Sequence, residues 1–169
     1  LAALHEARRS GRGQVVDAAI VDGVSHLLAG THALLAAGSW ADERGVNMLD
    51  GGAPFYQVYE TADGEYVAVG ALESRFYAEL LGRLGVDEDP SRQHDRTTWP
   101  TLRARFAEVF ATRTLAEWST VFEDSDACVA PVLALGEVAS HPHNAARGTF
   151  VARDGVLQPA PAPRFSRTV

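Results

Sequence analysis

Lysine is absent from this chain of 169 residues, so all 15 basic side chains are arginine. A Schiff base or a lysine general base is therefore excluded from whatever chemistry these residues perform. Cysteine is nearly absent too. The single thiol, Cys128, has no internal disulfide partner, and its setting Ala127-Cys128-Val129-Ala130 reads as a buried structural thiol, which fits a reducing cytoplasm. Charge of one sign is short: 15 basic against 22 acidic residues give a net charge of −7, so the basic footprint of a nucleic-acid binder is missing. No apolar run has membrane-spanning length, because the longest helical candidate is interrupted by Asp22, His26 and His32. No Gly-x-Ser-x-Gly elbow, His-Glu-x-x-His motif or paired cysteines occur, which removes the usual local signatures of a serine hydrolase or a zinc site.

What is present is organised by glycine. The opening residues Leu1-Ala2-Ala3-Leu4-His5-Glu6-Ala7-Arg8-Arg9 already read as mid-helix, with no initiator methionine, so the chain is expected to be a piece of a longer protein. Ser10-Gly11 stops that helix with a left-handed cap. Residues 13–17 read as a short buried strand and residues 18–37 as one long helix, with Ile20, Val21, Val24, Leu27, Leu28, Leu34 and Leu35 at helical spacing and Gly38 at its end. His26, alone among these leucines, reads as a core histidine. The polar residues 40–47 read as a linker into a second unit that begins near Asp50-Gly51-Gly52.

That second unit opens with the clearest element of the chain. Tyr56-Gln57-Val58-Tyr59-Glu60 alternates apolar and polar, Asp63-Gly64 is a type I′ turn dipeptide, and Glu65-Tyr66-Val67-Ala68-Val69 runs back, predicting a β-hairpin. Ser74 is then expected to cap an amphipathic helix through Phe76, Tyr77, Leu80 and Leu81. Further on, Pro100 predicts a helix start, Thr114-Leu115-Ala116-Glu117 a capping box, residues 127–132 a strand, and Asp154-Gly155 a second hairpin. The run Pro159-Ala160-Pro161-Ala162-Pro163 predicts extended polyproline-like chain, and Phe165-Ser166-Arg167-Thr168 after it a strap across a neighbouring surface.

Chemistry gathers at one end of the first hairpin. The returning strand finishes in Gly70-Ala71-Leu72-Glu73, which sets a carboxylate where a strand delivers a side chain to a helix start. The plainer reading of Glu73 is a negative charge favoured near a helix N-terminus. Phe55, Tyr56, Tyr59 and Tyr66 can line an apolar ligand groove or simply pack across strands. His141-Pro142-His143 offers two imidazoles with no further ligands nearby, and is read as a helix-start loop rather than a metal site.

A resemblance sharpens this. Ser10-Gly11-Arg12-Gly13-Gln14-Val15-Val16-Asp17-Ala18 is similar to the Thr/Ser-Gly-Arg/Lys-Gly-Gln-x-Val-Asp segment of the family III CoA-transferases and their racemase branch. Asn47-Met48-Leu49-Asp50-Gly51-Gly52-Ala53-Pro54, Ala62-Asp63-Gly64, Val69-Gly70-Ala71-Leu72-Glu73, Ser125-Asp126-Ala127-Cys128-Val129 and Pro161-Ala162-Pro163-Arg164-Phe165-Ser166 resemble the α-methylacyl-CoA racemases, in order along nearly the whole chain.

The resemblance implies the second half of such an enzyme, inactive alone. The fold expected is α+β, a small antiparallel-sheet domain with helices (residues 41–147) plus a strand and long helix belonging to a larger α/β domain (residues 1–40). Residues 148–169 are expected to form a hairpin and a proline-rich segment returning toward the large domain. It implies an interlocked homodimer in fatty-acid metabolism that takes an acyl-CoA substrate and needs no cofactor, CoA being part of that substrate, with neither nucleic acid nor membrane as partner. The α-proton of the thioester would be exchanged by a histidine and an aspartate that this sequence does not contain at matching positions. Glu73 matches the glutamate that pairs with that histidine and orients it. Leu72, Tyr56 and the Asp50-Gly51-Gly52 turn would border the acyl pocket. The rivals are a CoA-transferase, which moves CoA between carboxylic acids and often carries a longer glycine-rich flap here, and a non-catalytic assembly or binding module.

Overall fold

In the computed structural model, which describes residues 1–167, the chain falls into two units that divide between Asp50 and Gly51. In the first, helix α1 (Ala2–Ser10) ends at Gly11, whose φ of 73° lets its N–H reach back to the Ala7 carbonyl at 2.9 Å. Residues 13–17 form no strand, contrary to the sequence expectation: they run as an unpaired connector with Val15 96% exposed. A strand needs a neighbour for its backbone groups, and among the described residues none pairs with this segment. The single long helix is also two, α2 (Ile20–Leu27) and α3 (Ala29–Ala36), broken at Leu28, whose ψ of 1° departs from helical geometry. Gly23 and Gly30 weaken helix propensity on either side of that break. His26 is exposed rather than a core residue, and Ile20, Val21 and Leu27 are exposed with it.

The predicted linker at residues 40–47 is instead a knot of hydrogen bonds around a fully buried Asn47. Its Oδ1 accepts from the Ala41 N–H at 2.8 Å, while its Nδ2 donates to the carbonyls of Ala41 and Glu43 at 3.0 and 3.1 Å. A buried amide with this many partners fixes a loop that has no apolar core of its own.

In the second unit, strands β1 (Tyr56–Glu60), β2 (Tyr66–Gly70) and β3 (Val129–Pro131) form an antiparallel sheet in the order β1-β2-β3. The first hairpin exists as predicted, with Tyr56 opposite Gly70 and Glu60 opposite Tyr66, but its turn is not type I′. Only Gly64 has positive φ, at 79°, and the Gly64 N–H donates to the Thr61 carbonyl at 3.0 Å. This is a type I turn closed by a left-handed glycine, the geometry of a longer hairpin loop. The same dipeptide does make the type I′ turn in the second hairpin, β4 (Phe150–Arg153) with β5 (Val156–Pro159), where Asp154 and Gly155 have φ of 51° and 78°.

One face of the three-stranded sheet turns inward through Tyr59, Val67 and Val69. Against it pack helices α4 (Ser74–Leu84), α5 (Trp99–Phe110) and α6 (Leu115–Phe122), which bury Tyr77, Leu80, Trp99, Phe106, Phe110 and Trp118. Phe55 meets Tyr77 and Trp99 edge-on at 5.4 and 5.8 Å, and Tyr59 stacks on Phe110 at 5.0 Å. Each large apolar side chain buried here stabilises by about 1.5–3 kcal/mol. The capping box is present, Thr114 accepting from the Glu117 N–H at 3.3 Å and donating to its carboxylate at 2.9 Å. Ser74 is the first residue inside α4 and not its cap; Glu73 holds that position in extended geometry.

Helix α7 (Pro142–Arg147) follows His141 as its N-cap residue. Pro159 closes β5 and the chain then bends at Ala162 and Pro163, so the expected polyproline-like run is not one continuous extended segment; the Ala162-Pro163 bond is cis. The Arg164 guanidinium bonds the carbonyls of Arg147 and Gly148, the latter at 2.7 Å. Thr168, the last residue of the expected strap, lies outside the described residues. The fold class is as expected, helices with small antiparallel sheets, though without the strand assigned to the first unit.

Candidate functional site

The backbone that delivers Glu73 is held from three sides. Beyond the end of β2, the Gly70 N–H donates to the Cys128 carbonyl and the Ala71 N–H to the Phe55 carbonyl, both at 2.9 Å. The Leu72 N–H turns back to the Gly70 carbonyl at 2.9 Å. The carbonyls of Ala71 and Leu72 accept both amide hydrogens of the Gln93 side chain, at 3.1 and 2.9 Å. The Glu73 carbonyl then receives the N–H groups of Phe76 and Tyr77 and starts α4. Its side chain makes no capping hydrogen bond. Among the described residues no hydrogen bond or ion pair engages the Glu73 carboxylate, which is exposed to an incoming donor.

Cys128 lies beside it, exposed and not buried as the apolar run implied. The run alternates: Ala127 takes the inner position and is fully buried, so Cys128, with φ of 53°, turns to the other face. Its thiol pKa is raised by partial desolvation, then by the Glu73 and Asp126 carboxylates, with Arg75 opposing. It is thus a poor nucleophile at neutral pH.

The outward face of the sheet forms a shallow depression of about 510 Å³ that includes Tyr56, Val58, Ala68, Gly70, Cys128 and Ala130. Cys128 joins this depression to Glu73. Tyr56, 38% exposed, therefore lies on the face whose edge carries the carboxylate, and Leu72 is half-buried just before it.

The glycine turn has a different character. In the first unit, Asp50 accepts from the backbone and side-chain nitrogens of Asn47, each at 2.8 Å, and from the Gly45 N–H at 3.2 Å, so its carboxylate is already committed to shaping a loop. In the second unit, Gly51 has φ of 94°, and a Cβ there would stand 3.3 Å from Gln57 Nε2. Its carbonyl accepts from Gln57 and Arg103 at 2.9 and 3.2 Å. Gly52 is buried.

A larger cleft of about 780 Å³ lies elsewhere in the second unit, among Trp118, Phe122, Val129, Leu133, His141 and His143, and includes none of the predicted site residues. Among the described residues no three His, Cys, Asp or Glu side chains gather as metal ligands, and no helix is long and apolar enough to cross a membrane. Gln93 escaped the sequence analysis, because a polar residue in a polar loop carries no periodic signal of its burial.

The Glu73 carboxylate thus stands exposed just beyond the end of β2, next to the open outer face of the sheet. The profile of CoA-transferase family III matches residues 1–169, and the chain belongs to that family. It is 48% identical over 168 residues to the α-methylacyl-CoA racemase of Mus musculus and 45% identical over 168 residues to that of Homo sapiens, in each case across 98% of this chain and 44% of the relative. The chain thus spans less than half the length of these curated relatives. A crystal structure of Rv3272 from M. tuberculosis superposes with a TM-score of 0.70 at 18% identity, covering 98% of this chain and 45% of the other, and supports the fold.

Proposed function

We propose that the chain is the C-terminal part of an enzyme that epimerises 2-methylacyl-CoA thioesters, removing the proton next to the thioester carbonyl and returning one to the opposite face. The 48% identity to a racemase across 98% of the chain carries this reading. Two opposed acid/base groups are required, with a site that stabilises the enolate oxygen between them; one well-placed general base contributes about 10²- to 10⁴-fold. In this reading both groups come from the rest of the protein, and Glu73 accepts a hydrogen bond from the histidine, fixing its tautomer and raising its basicity. Its freedom from any internal partner supports that role. Tyr56 and Leu72 would border the acyl chain, while the Asp50-Gly51-Gly52 turn would hold the pocket's edge through its own hydrogen bonds. The reading carries with it a cytoplasmic homodimer acting in fatty-acid metabolism, without a cofactor beyond the CoA of the substrate.

The test is proton NMR of one 2-methylacyl-CoA epimer in D₂O with the full-length protein and no carboxylic acid acceptor. Deuterium at the α-carbon with epimerisation is expected. Movement of CoA only after a carboxylic acid is added would instead establish the transferase, and neither reaction would leave a non-catalytic module.

A further inference from the structure

We propose that Gln93 is a positioning residue for the acid/base site: it holds the backbone of residues 71–72 so that Glu73 is presented at a fixed place and angle. This rests on the reading that Glu73 supports the catalytic base. Gln93 is 2% exposed and follows the short 3-10 turn Pro90–Arg92. Both of its side-chain acceptors are carbonyls, which only accept, so the orientation of the amide is fixed by its partners. The Gln93 backbone carbonyl accepts from the Trp99 indole N–H at 2.9 Å, and that ring packs against Phe55. A continuous path of contacts therefore runs from the aromatic core to the two peptide groups before Glu73.

The choice of glutamine has a cost that points to the two donors. Its Oε1 is buried without a partner, which a methionine or leucine of similar size would avoid. Either would strand the carbonyl of Ala71, a fully buried residue, and free the chain before Glu73 to relax. No ionic contact holds the Glu73 side chain in the described structure, so its placement depends on this backbone. Displacement by about 1 Å can cost on the order of 10²-fold in rate.

A double-mutant cycle in the full-length protein tests this, with α-deuterium exchange as the readout. Gln93→Met should lower kcat roughly 10-fold or more while KM stays within about twofold, and should add less than about twofold when Glu73→Gln is already present. Amide hydrogen exchange at Phe76 and Tyr77, whose N–H groups bond the Glu73 carbonyl, should accelerate in Gln93→Met. Gln93→Glu retains the side chain's length and donates only while protonated, so its kcat should show an added fall as pH rises. An unchanged kcat, an equal loss in both Glu73 backgrounds, or a Gln93→Glu pH profile parallel to wild type would overturn the assignment. If Glu73→Gln alone leaves kcat at the wild-type value, the reading of Glu73 itself has failed, and that result is separable from failure at Gln93.

Discussion

The Glu73 carboxylate and the Cys128 thiol, far apart in sequence, share one corner of the sheet, and after desolvation the charge on Glu73 is the largest influence raising the thiol's pKa. Because the thiolate is the reacting species, Glu73→Gln should lower that pKa and speed alkylation of Cys128 at a fixed pH near neutrality. The chain itself suffices for the measurement, since Cys128 is its only cysteine. An unchanged or slower rate would place the carboxylate elsewhere.

The Tyr59 hydroxyl donates to the Pro54 carbonyl at 2.6 Å inside the core, tying β1 to the segment after the glycine turn. Tyr59→Phe leaves that acceptor unpaired and should destabilise the chain by about 1–3 kcal/mol. Urea unfolding should show a lower midpoint with little change of slope.

Burial raises the pKa of Tyr77 from 10.0 to about 12, with the Glu88 carboxylate adding to it, and raises that of Tyr59 further. Both folded values lie above the unfolded one, so the stability linked to these groups is fully present below pH 10 and lost as pH rises toward 12 and beyond. Tyrosinate absorbance from Tyr59 and Tyr77 should therefore appear only with loss of the folded signal. Ionisation of Tyr59 and Tyr77 near pH 10 with the fold intact would contradict this.

Thr114 and Glu117 form a reciprocal cap on α6, and Thr114→Ala should cost about 0.5–2 kcal/mol. Thermal unfolding of the variant measures it.

Local rules were legible where local chemistry decides the structure. The capping box at Thr114, the stop at Gly11, the alternation through the first hairpin and the turn of the second all stand in the fold. Rules failed where a partner decides. The segment at residues 13–17 has the composition of a strand but pairs with no neighbour among the described residues, and Asp63-Gly64 makes a different turn from Asp154-Gly155, with the Asp63 carboxylate engaged by Thr61 and the Leu115 N–H. Of the candidate site, the position of Glu73 between β2 and α4 could be read directly. The clamp that holds it could not: Gln93 reaches residues 71–72 across more than a helix of intervening chain, and no spacing rule encodes that contact. Asp50 matched a motif, yet its oxygens are occupied by Asn47 and Gly45.

The most direct test of the account is α-proton exchange on a single 2-methylacyl-CoA epimer in D₂O by the full-length protein carrying Glu73→Gln, compared with wild type. Loss of a partner that fixes the tautomer of the base should reduce kcat by roughly 10- to 100-fold, with KM little changed. Wild-type exchange in that variant would contradict the role assigned to Glu73.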